Sequence, residues 1–411
     1  MGILRRLRGL QPGEAVILLA DLAINTGFFM LIPYISVHVR ENLGLTATIA
    51  GTVLAVRTGV QQVLMVLAGP MADLYGYKRV LLAGLLIRAA GFSSFALMGD
   101  LPGLILSAVL SGTGGALFSS AERAAYAALN PGPEQTSRFA LLYTAQSTGT
   151  TIGPLVGAFL LNLDFRVLSL VAGFVYIPIA LLVYYYLPDL SSGRERPAPA
   201  RAVSEVIRSI LTVARNRAFV VYCLVSAGFW AISGQINISL SLHAVTMTGN
   251  QTAVKNLLLI SSLMVIALQY RLTQWTERRL PPLVLWSIGS ALAGLSFLLV
   301  IPFPGMVGLV ACVVGLTLGG MLLRPVDYQM VVGMAPRDAV ASYYGFSALS
   351  VAIGGSTGQF LGGRLTDIAE TTGPAWLTWV VFAALGIGAA LTMRWFDRRQ
   401  SEETGRGTPA W

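Results

Sequence analysis

Apolar runs of about 20 residues recur along the whole chain, separated by short polar breaks. A helix of that length crosses a hydrocarbon core of about 30 Å. The breaks set twelve predicted helices, each bounded to about four residues: 14–37, 46–69, 79–98, 102–129, 138–162, 166–187, 218–243, 253–271, 281–301, 304–331, 341–366 and 374–396. The runs are too long and too uniformly apolar for a membrane barrel, whose strands are short and alternate. The expectation is an all-α membrane protein.

One stretch breaks the rhythm. From Leu187 to Arg217 the chain turns polar and carries Pro188, Pro197 and Pro199. Within it Val203, Val206, Ile207, Ile210 and Val213 keep helical spacing among Arg208 and Arg215. Two readings stand: an amphipathic helix lying on the membrane surface, or a linker helix packed on the bundle. The expected organisation is a six-helix bundle over 1–187, a linker over 188–217, a second six-helix bundle over 218–400 and a disordered tail over 401–411.

Composition supports the membrane reading. Charged residues make up 11% and hydrophobic residues 55% of the 411 positions, against roughly a quarter charged in soluble domains. The net charge of +9 comes from Lys and Arg gathered in alternate breaks. With a cytoplasmic amino terminus, 20 of the 28 basic residues fall on the inner side, among them Arg5, Arg6, Arg8, Lys78, Arg79, Arg138 and Arg394. The outer loops keep Arg40, Arg166 and Lys255. The positive-inside rule then places both termini in the cytoplasm. No basic helix interleaved with aromatics suggests nucleic acid. The run after Arg8 is too long for a signal peptide and lacks a small-residue cleavage site. Two Lys against 26 Arg hint at a GC-rich bacterial genome, hence a bacterial inner membrane.

Cys223 and Cys312 are expected near opposite faces, too far apart for a disulfide. His38 and His243 stand apart, so no metal cluster is expected. With no nucleophile–base constellation and no large soluble domain, the chain is not expected to be an enzyme.

The two halves match at a constant offset of 205 residues. Gly114-Gly115 pairs with Gly319-Gly320, Leu117 with Leu322, Pro131 with Pro336 and Ser137 with Ser342. Gly149, Gly153 and Gly157 pair with Gly354, Gly358 and Gly362. The offset joins helices running in the same direction, so the repeat is parallel.

Two motifs carry a family resemblance. The loop Gly69-Pro70-Met71-Ala72-Asp73-Leu74-Tyr75-Gly76-Tyr77-Lys78-Arg79 resembles the major facilitator signature, G-x-L-A-D-R-x-G-R-K. Gly69 and Gly76 allow close approach and a tight turn, Asp73 sits where a helix ends, and Lys78 and Arg79 hold the loop inside. Leu74 and Tyr77 replace basic residues of the pattern, which weakens the latch that this loop supplies in the family. The run Gly149-Thr150-Thr151-Ile152-Gly153-Pro154-Leu155-Val156-Gly157-Ala158 resembles the antiporter motif G-x-x-x-G-P-x-x-G-G. Its glycines form a flat packing face, and Pro154 is expected to bend the helix.

The wider chain is similar to drug:proton antiporters, and within them to the MdtH-type branch of bacterial multidrug exporters. Asp21 to Ser36, Arg88-Ala89-Ala90-Gly91-Phe92, Leu110 to Gly115, Asp164-Phe165-Arg166 and Tyr344-Gly345-Phe346-Ser347 carry the likeness. The resemblance implies two like-oriented six-helix bundles rocking about a midplane site. It implies export of hydrophobic small molecules driven by inward proton flow, with no cofactor. Where the drug-exporter pattern has an Arg in the fourth helix, this chain has Ala108; any relay role there is absent or passes to another residue, with Arg88 a candidate. Export of a specific metabolite, peptide or siderophore, and proton-coupled import, are the alternatives. A monomer is the default.

Ionisable residues inside the runs cost at least about 2.5–3.5 kcal/mol at the bilayer centre, so they need a partner, water or a function. Asp21, Glu122 and Asp327 are candidate proton carriers: an acid in an apolar cavity can hold a proton in one conformation and release it in another. The alternative for each is a structural ion pair or gate contact. Arg57, Arg88, Arg123 and Arg324 are candidate charge partners, with Asp21–Arg57 a possible pair. Phe28, Phe29, Tyr34, Gln61, Tyr143, Gln146, Phe229, Trp230, Gln235 and Asn237 lie at depths that suit an apolar substrate cavity; each aromatic fits packing as well.

Overall fold

A computed structural model describes residues 10–129, 135–161, 163–189, 208, 210–277, 279–336 and 340–404. Among these residues there is helix and no strand. The helices are α1 Pro12–Val37, α2 Ala47–Tyr75, α3 Tyr77–Ser94, α4 Leu101–Leu129, α5 Gln135–Leu161, α6 Phe165–Phe174, α7 Tyr176–Tyr186, α8 Arg217–Ser233, α9 Ser239–Thr248, α10 Thr252–Glu277, α11 Pro282–Phe297, α12 Met306–Met334, α13 Val340–Thr371 and α14 Leu377–Thr404. They cover all twelve apolar runs; α6 with α7, and α8 with α9, each fill one run. Nine of the described stretches are long and apolar enough to cross a membrane. The runs outside that set have visible causes: α3 carries Lys78, Arg79 and Arg88, while α5 and α13 are rich in Gly, Ser and Thr.

Local chemistry sets the boundaries. Gly76 joins α2 to α3 at φ 90°, a backbone that only glycine adopts without strain, as the tight turn requires. The Asp164 carboxylate caps α6 by accepting from Arg166 N at 2.9 Å, and Asn216 caps α8 by accepting from Phe219 N at 3.1 Å. Between α8 and α9 the helix tightens to a 3-10 turn over Gly234–Asn237. Gln235 accommodates that turn: its amide donates to Ala231 O and Gly358 O at 2.8 and 2.9 Å.

The 205-residue repeat extends to the architecture. The starts of the first five helices, Pro12, Ala47, Tyr77, Leu101 and Gln135, recur 205 residues later at Arg217, Thr252, Pro282, Met306 and Val340. The close contacts recur too. A Cβ on Gly153 would meet Thr26 O at 2.7 Å, and one on Gly358 would meet Ala231 O at 2.2 Å; Thr26 and Ala231 are themselves 205 apart. Both halves therefore use glycine to bring helix backbones together.

Packing divides the chain into two units, residues 1–32 with 60–208 and residues 33–59 with 209–411. In the first, Phe92, Phe118, Tyr126 and Tyr176 are fully buried. In the second, Trp286, Phe219, Tyr222, Phe229 and Phe297 form the centre of a large apolar core. One cut, between 208 and 209, falls in the polar linker; the second unit also takes in the end of α1 and the first half of α2. Most of the linker lies outside the described residues; Val213 within it is buried in the second core. The helix α14 runs to Thr404, four residues into the segment expected as a disordered tail, and 405–411 lie outside the described residues.

Candidate functional site

The first unit buries a cluster of ionisable side chains from three helices. Asp21 on α1 and Glu122 on α4 are 3% and 4% exposed, and their carboxyls lie within hydrogen-bonding reach of each other. Asn25, one turn along α1, donates to Asp21 Oδ1 at 2.9 Å. Asp21 Oδ2 and Glu122 Oε1 are buried and receive no hydrogen bond from the described residues. Arg88 on α3 and Arg123 on α4 supply positive charge to both acids; Arg88 is 3% exposed, whereas Arg123 is exposed.

Arg88 is held by rings. Its guanidinium carbon lies 5.3 Å from the Phe28 centroid, 5.3 Å from Phe92 and 6.0 Å from Tyr176, a cation against three aromatic faces. Gln61 reaches it across Gly115, where an added Cβ would sit 2.7 Å from Gln61 Oε1 and 2.9 Å from an Arg88 guanidinium nitrogen. The α3–α4 contact that sets this geometry is backbone to backbone: a Cβ on Gly114 would lie 2.4 Å from Arg88 N. The antiporter-motif glycines set the other side. Cβ atoms on Gly149 and Gly153 would lie 2.7 Å from Leu22 O and 2.7 Å from Thr26 O, so α5 presses on the turn of α1 that carries Asp21. Helix α5 continues through Pro154, and Gly157 is buried within it.

The second unit holds the repeat counterpart. Asp327 on α12 matches Glu122, and Ser226 on α8 matches Asp21. Here one oxygen, Asp327 Oδ1, accepts from the Tyr222 hydroxyl in a short hydrogen bond, from Trp286 Nε1 at 3.4 Å and from Ser226 Oγ at 3.5 Å. Arg324 is exposed, lies near Asp327 and places its guanidinium 5.9 Å from the Trp230 ring. Asp327 thus has neutral donors where the first unit has a second acid, and it needs no proton to complete its hydrogen bonding. The geometry favours its structural reading.

The remaining expected residues lie in both units. Arg57 is buried and belongs to the second. Tyr34, Phe229 and Gln235 are 0%, 1% and 0% exposed, so they serve packing rather than lining a cavity; Gln235 is committed to the α8–α9 turn. Asn237 turns its backbone carbonyl to Ser36 Oγ at 2.7 Å. Phe28, Phe29, Gln61, Gln146 and Trp230 remain half-buried, and the side chain of Tyr143 lies outside those described. In the signature loop Gly76 makes its turn, Lys78 lies 5.5 Å from the Tyr184 ring and Arg79 is exposed. Asp73 falls in the last turn of α2, its side chain outside those described. At Gly69 a Cβ would meet nothing within 4 Å among the described residues.

Three groups escape a sequence reading. Glu14, 2% exposed, takes Gln11 N at 2.9 Å and Arg138 at 3.4 Å; its place at a predicted helix end gave no sign of burial. Asn25 reads as an ordinary polar residue until its contact with Asp21 is seen. Asp367 falls one residue beyond the predicted eleventh helix, yet it takes three hydrogen bonds. Among the described residues no group of His, Cys, Asp and Glu is arranged to hold a metal ion, and Cys223 and Cys312 are free and buried.

A duplicated helical scaffold with charge buried inside one repeat is the build of a membrane transporter, and comparison with known proteins agrees. The Major Facilitator Superfamily profile matches residues 17–359. The chain belongs to the Major Facilitator Superfamily, and it is a transporter rather than an enzyme. It is 32% identical over 394 residues to the multidrug resistance protein MdtH of Aeromonas hydrophila, covering 94% of this chain and 96% of that one. It is 30% identical over 408 residues to the uncharacterized MFS-type transporter Rv0849 of Mycobacterium tuberculosis, with 97% and 96% covered. Among solved structures, a mutant of the peptide transporter POT in complex with sulfate superposes with a TM-score of 0.80 at 18% identity, covering 95% of each chain. A mutant of the nucleoside transporter NupG does so at 0.78 and 12%, covering 93% of this chain and 99% of that one.

Proposed function

We propose that this protein exports hydrophobic small molecules in exchange for protons by alternating access, and that the Asp21–Glu122 pair carries the proton. The observation behind the second part is a contrast between repeats. Where the second repeat sets a Ser226 hydroxyl against Asp327, the first sets one acid against another and leaves Asp21 Oδ2 and Glu122 Oε1 without a donor. Two ionised carboxylates about 4 Å apart repel by about 4 kcal/mol even at an effective dielectric of about 20. One shared proton turns that repulsion into a hydrogen bond and leaves a single negative charge opposite Arg88. Losing that proton to the inner side and regaining it from the outer side is the coupling step. The antiporter-motif glycines, which seat α5 on α1 beside Asp21, support antiport over import. The MdtH likeness supports a hydrophobic drug-like substrate, with Phe28 and Phe29 as apolar contacts. Twelve membrane crossings, both termini in the cytoplasm, a bacterial inner membrane and a monomer complete the reading.

The test is transport in proteoliposomes under an imposed pH gradient, with a panel of fluorescent apolar dyes as probes. D21N and E122Q are expected to lose gradient-driven accumulation while retaining dye equilibration down its own gradient. D327N is expected to keep the response to the pH gradient in whatever fraction folds. Full gradient-driven accumulation in both D21N and E122Q would overturn the assignment.

A further inference from the structure

Within the second unit, one acid caps a helix more than 300 residues away. Asp367, near the end of α13, accepts from Ala47 N at 2.9 Å through Oδ1, and from Thr48 N at 2.8 Å and Thr48 Oγ1 at 2.5 Å through Oδ2. These are the first residues of α2, whose leading N–H groups have no partner within their own helix. Thr46 serves as the local cap, its hydroxyl accepting from Ile49 N at a long 3.3 Å. Arg40, just past α1, lies 3.5 Å from Asp367 and forms a short ion pair with Glu370. A seam runs on from there. A Cβ on Gly363 would lie 2.1 Å from Ala47 O, and one on Gly51 would lie 2.4 Å from Gln359 O. Thr58 Oγ1 meets Gln359 Oε1 at 3.0 Å, and Ser356 Oγ donates to Ala55 O at 2.9 Å.

This acid cap is not part of the packing that the repeats share. The 205-residue offset puts Asn162 and Ala253 at the positions matching Asp367 and Thr48, so the repeat does not reproduce the acid–hydroxyl pairing. Nor does the cap sit in a closed core: the side chains of Arg40 and Glu370 are both 31% exposed, and that of Asp367 14%. Bonds at a wet edge can be exchanged for water, so breaking them costs less than breaking hydrogen bonds buried in a core.

We propose that Asp367, with Arg40 and Glu370, is a latch that holds the segment 33–59 to α13 in one state of the transport cycle and opens in the other. Asp367 is a positioning residue: it acts on the helix it caps and need not touch substrate. The latch rests on the chain being a major facilitator transporter and not on the proton site, so either assignment can fail alone.

The test is a distance measurement on the full chain in lipid nanodiscs. Spin labels are attached at E41C and T372C, two exposed positions flanking the Arg40–Glu370 contact, with Cys223 and Cys312 replaced by Ser. The parent is expected to show a short distance as its main population. D367A removes a charged acceptor of three hydrogen bonds, and the ratio of short to long distances is expected to fall at least about tenfold. R40A and T48A, which each remove part of the latch, are expected to shift the ratio the same way by less. A D367A distribution that superposes on the parent's would overturn the proposal. If D367A is not recovered folded, unchanged distributions in both R40A and T48A would do so.

Discussion

The glycine seam between α3 and α4 gives a prediction that separates fold from function. An alanine Cβ at Gly114 would lie 2.4 Å from Arg88 N, 2.7 Å from its Cα and 2.7 Å from its Cβ. Ordinary carbon contacts are about 3.5–4.0 Å, so the helices must part by about 1 Å. Overpacking of this kind costs about 1–3 kcal/mol, and it falls on Arg88, whose charge acts on both acids. The matching substitution in the second repeat, G319A, meets Gly289 O at 2.4 Å and Ala293 Cβ at 2.8 Å: a similar overlap, but against uncharged residues. Unfolding in mixed detergent micelles, followed by circular dichroism, should show both variants destabilised to a similar degree. Dye transport in proteoliposomes, normalised to folded protein, should fall several-fold in G114A and much less in G319A. G388A, where a Cβ meets nothing within 4 Å, serves as the control and should gain up to about 1 kcal/mol from helix propensity. A G114A protein as stable as its parent would refute the packing argument, and equal transport losses in G114A and G319A would refute the link from that packing to Arg88.

Other outcomes follow from the same contacts. R88Q removes the buried cation opposite two acids, a change that costs about 3–5 kcal/mol when a buried charge is left uncompensated; it should abolish gradient-driven dye accumulation, and R88K should restore part of it. Y222F deletes a donor to Asp327 and should lower unfolding stability by about 1.5–3 kcal/mol, with the pH-gradient response of the folded fraction unchanged. Thiol titration should find two reactive groups after unfolding without reductant, Cys223 and Cys312, and almost none before it.

The helices were legible because membrane solubility requires long apolar runs, and the limits of those runs are polar enough to see. The repeat was legible because glycines at helix contacts tolerate no side chain and so hold their spacing in both halves. The acids were legible as anomalies: Asp21 and Glu122 lie inside apolar runs whose other charged residues are Glu14, at a run's start, and Arg123. Their grouping was not. Arg88 and Arg123 read only as candidate charge partners, and it takes the packing of α3 on α4 to bring Arg88 to both acids. Aromatic residues misled for a related reason, since Phe229 in a core and Phe28 against a guanidinium look the same in a run of letters. Asp367 was hidden by position, because an acid at a helix end reads as solvated until its cap across 320 residues is seen.

The duplicated design leaves the two repeats with different buried clusters, Asp21 against Glu122 in one and Ser226 against Asp327 in the other. Changing Ser226 to Asp would set a second acid against Asp327, but Ala293 stands where the first repeat has Arg88. On the coupling proposed above, positions 226 and 293 are where a second ion site would have to be built, so the number of ions drawn on per turnover is open to change by few substitutions in this architecture.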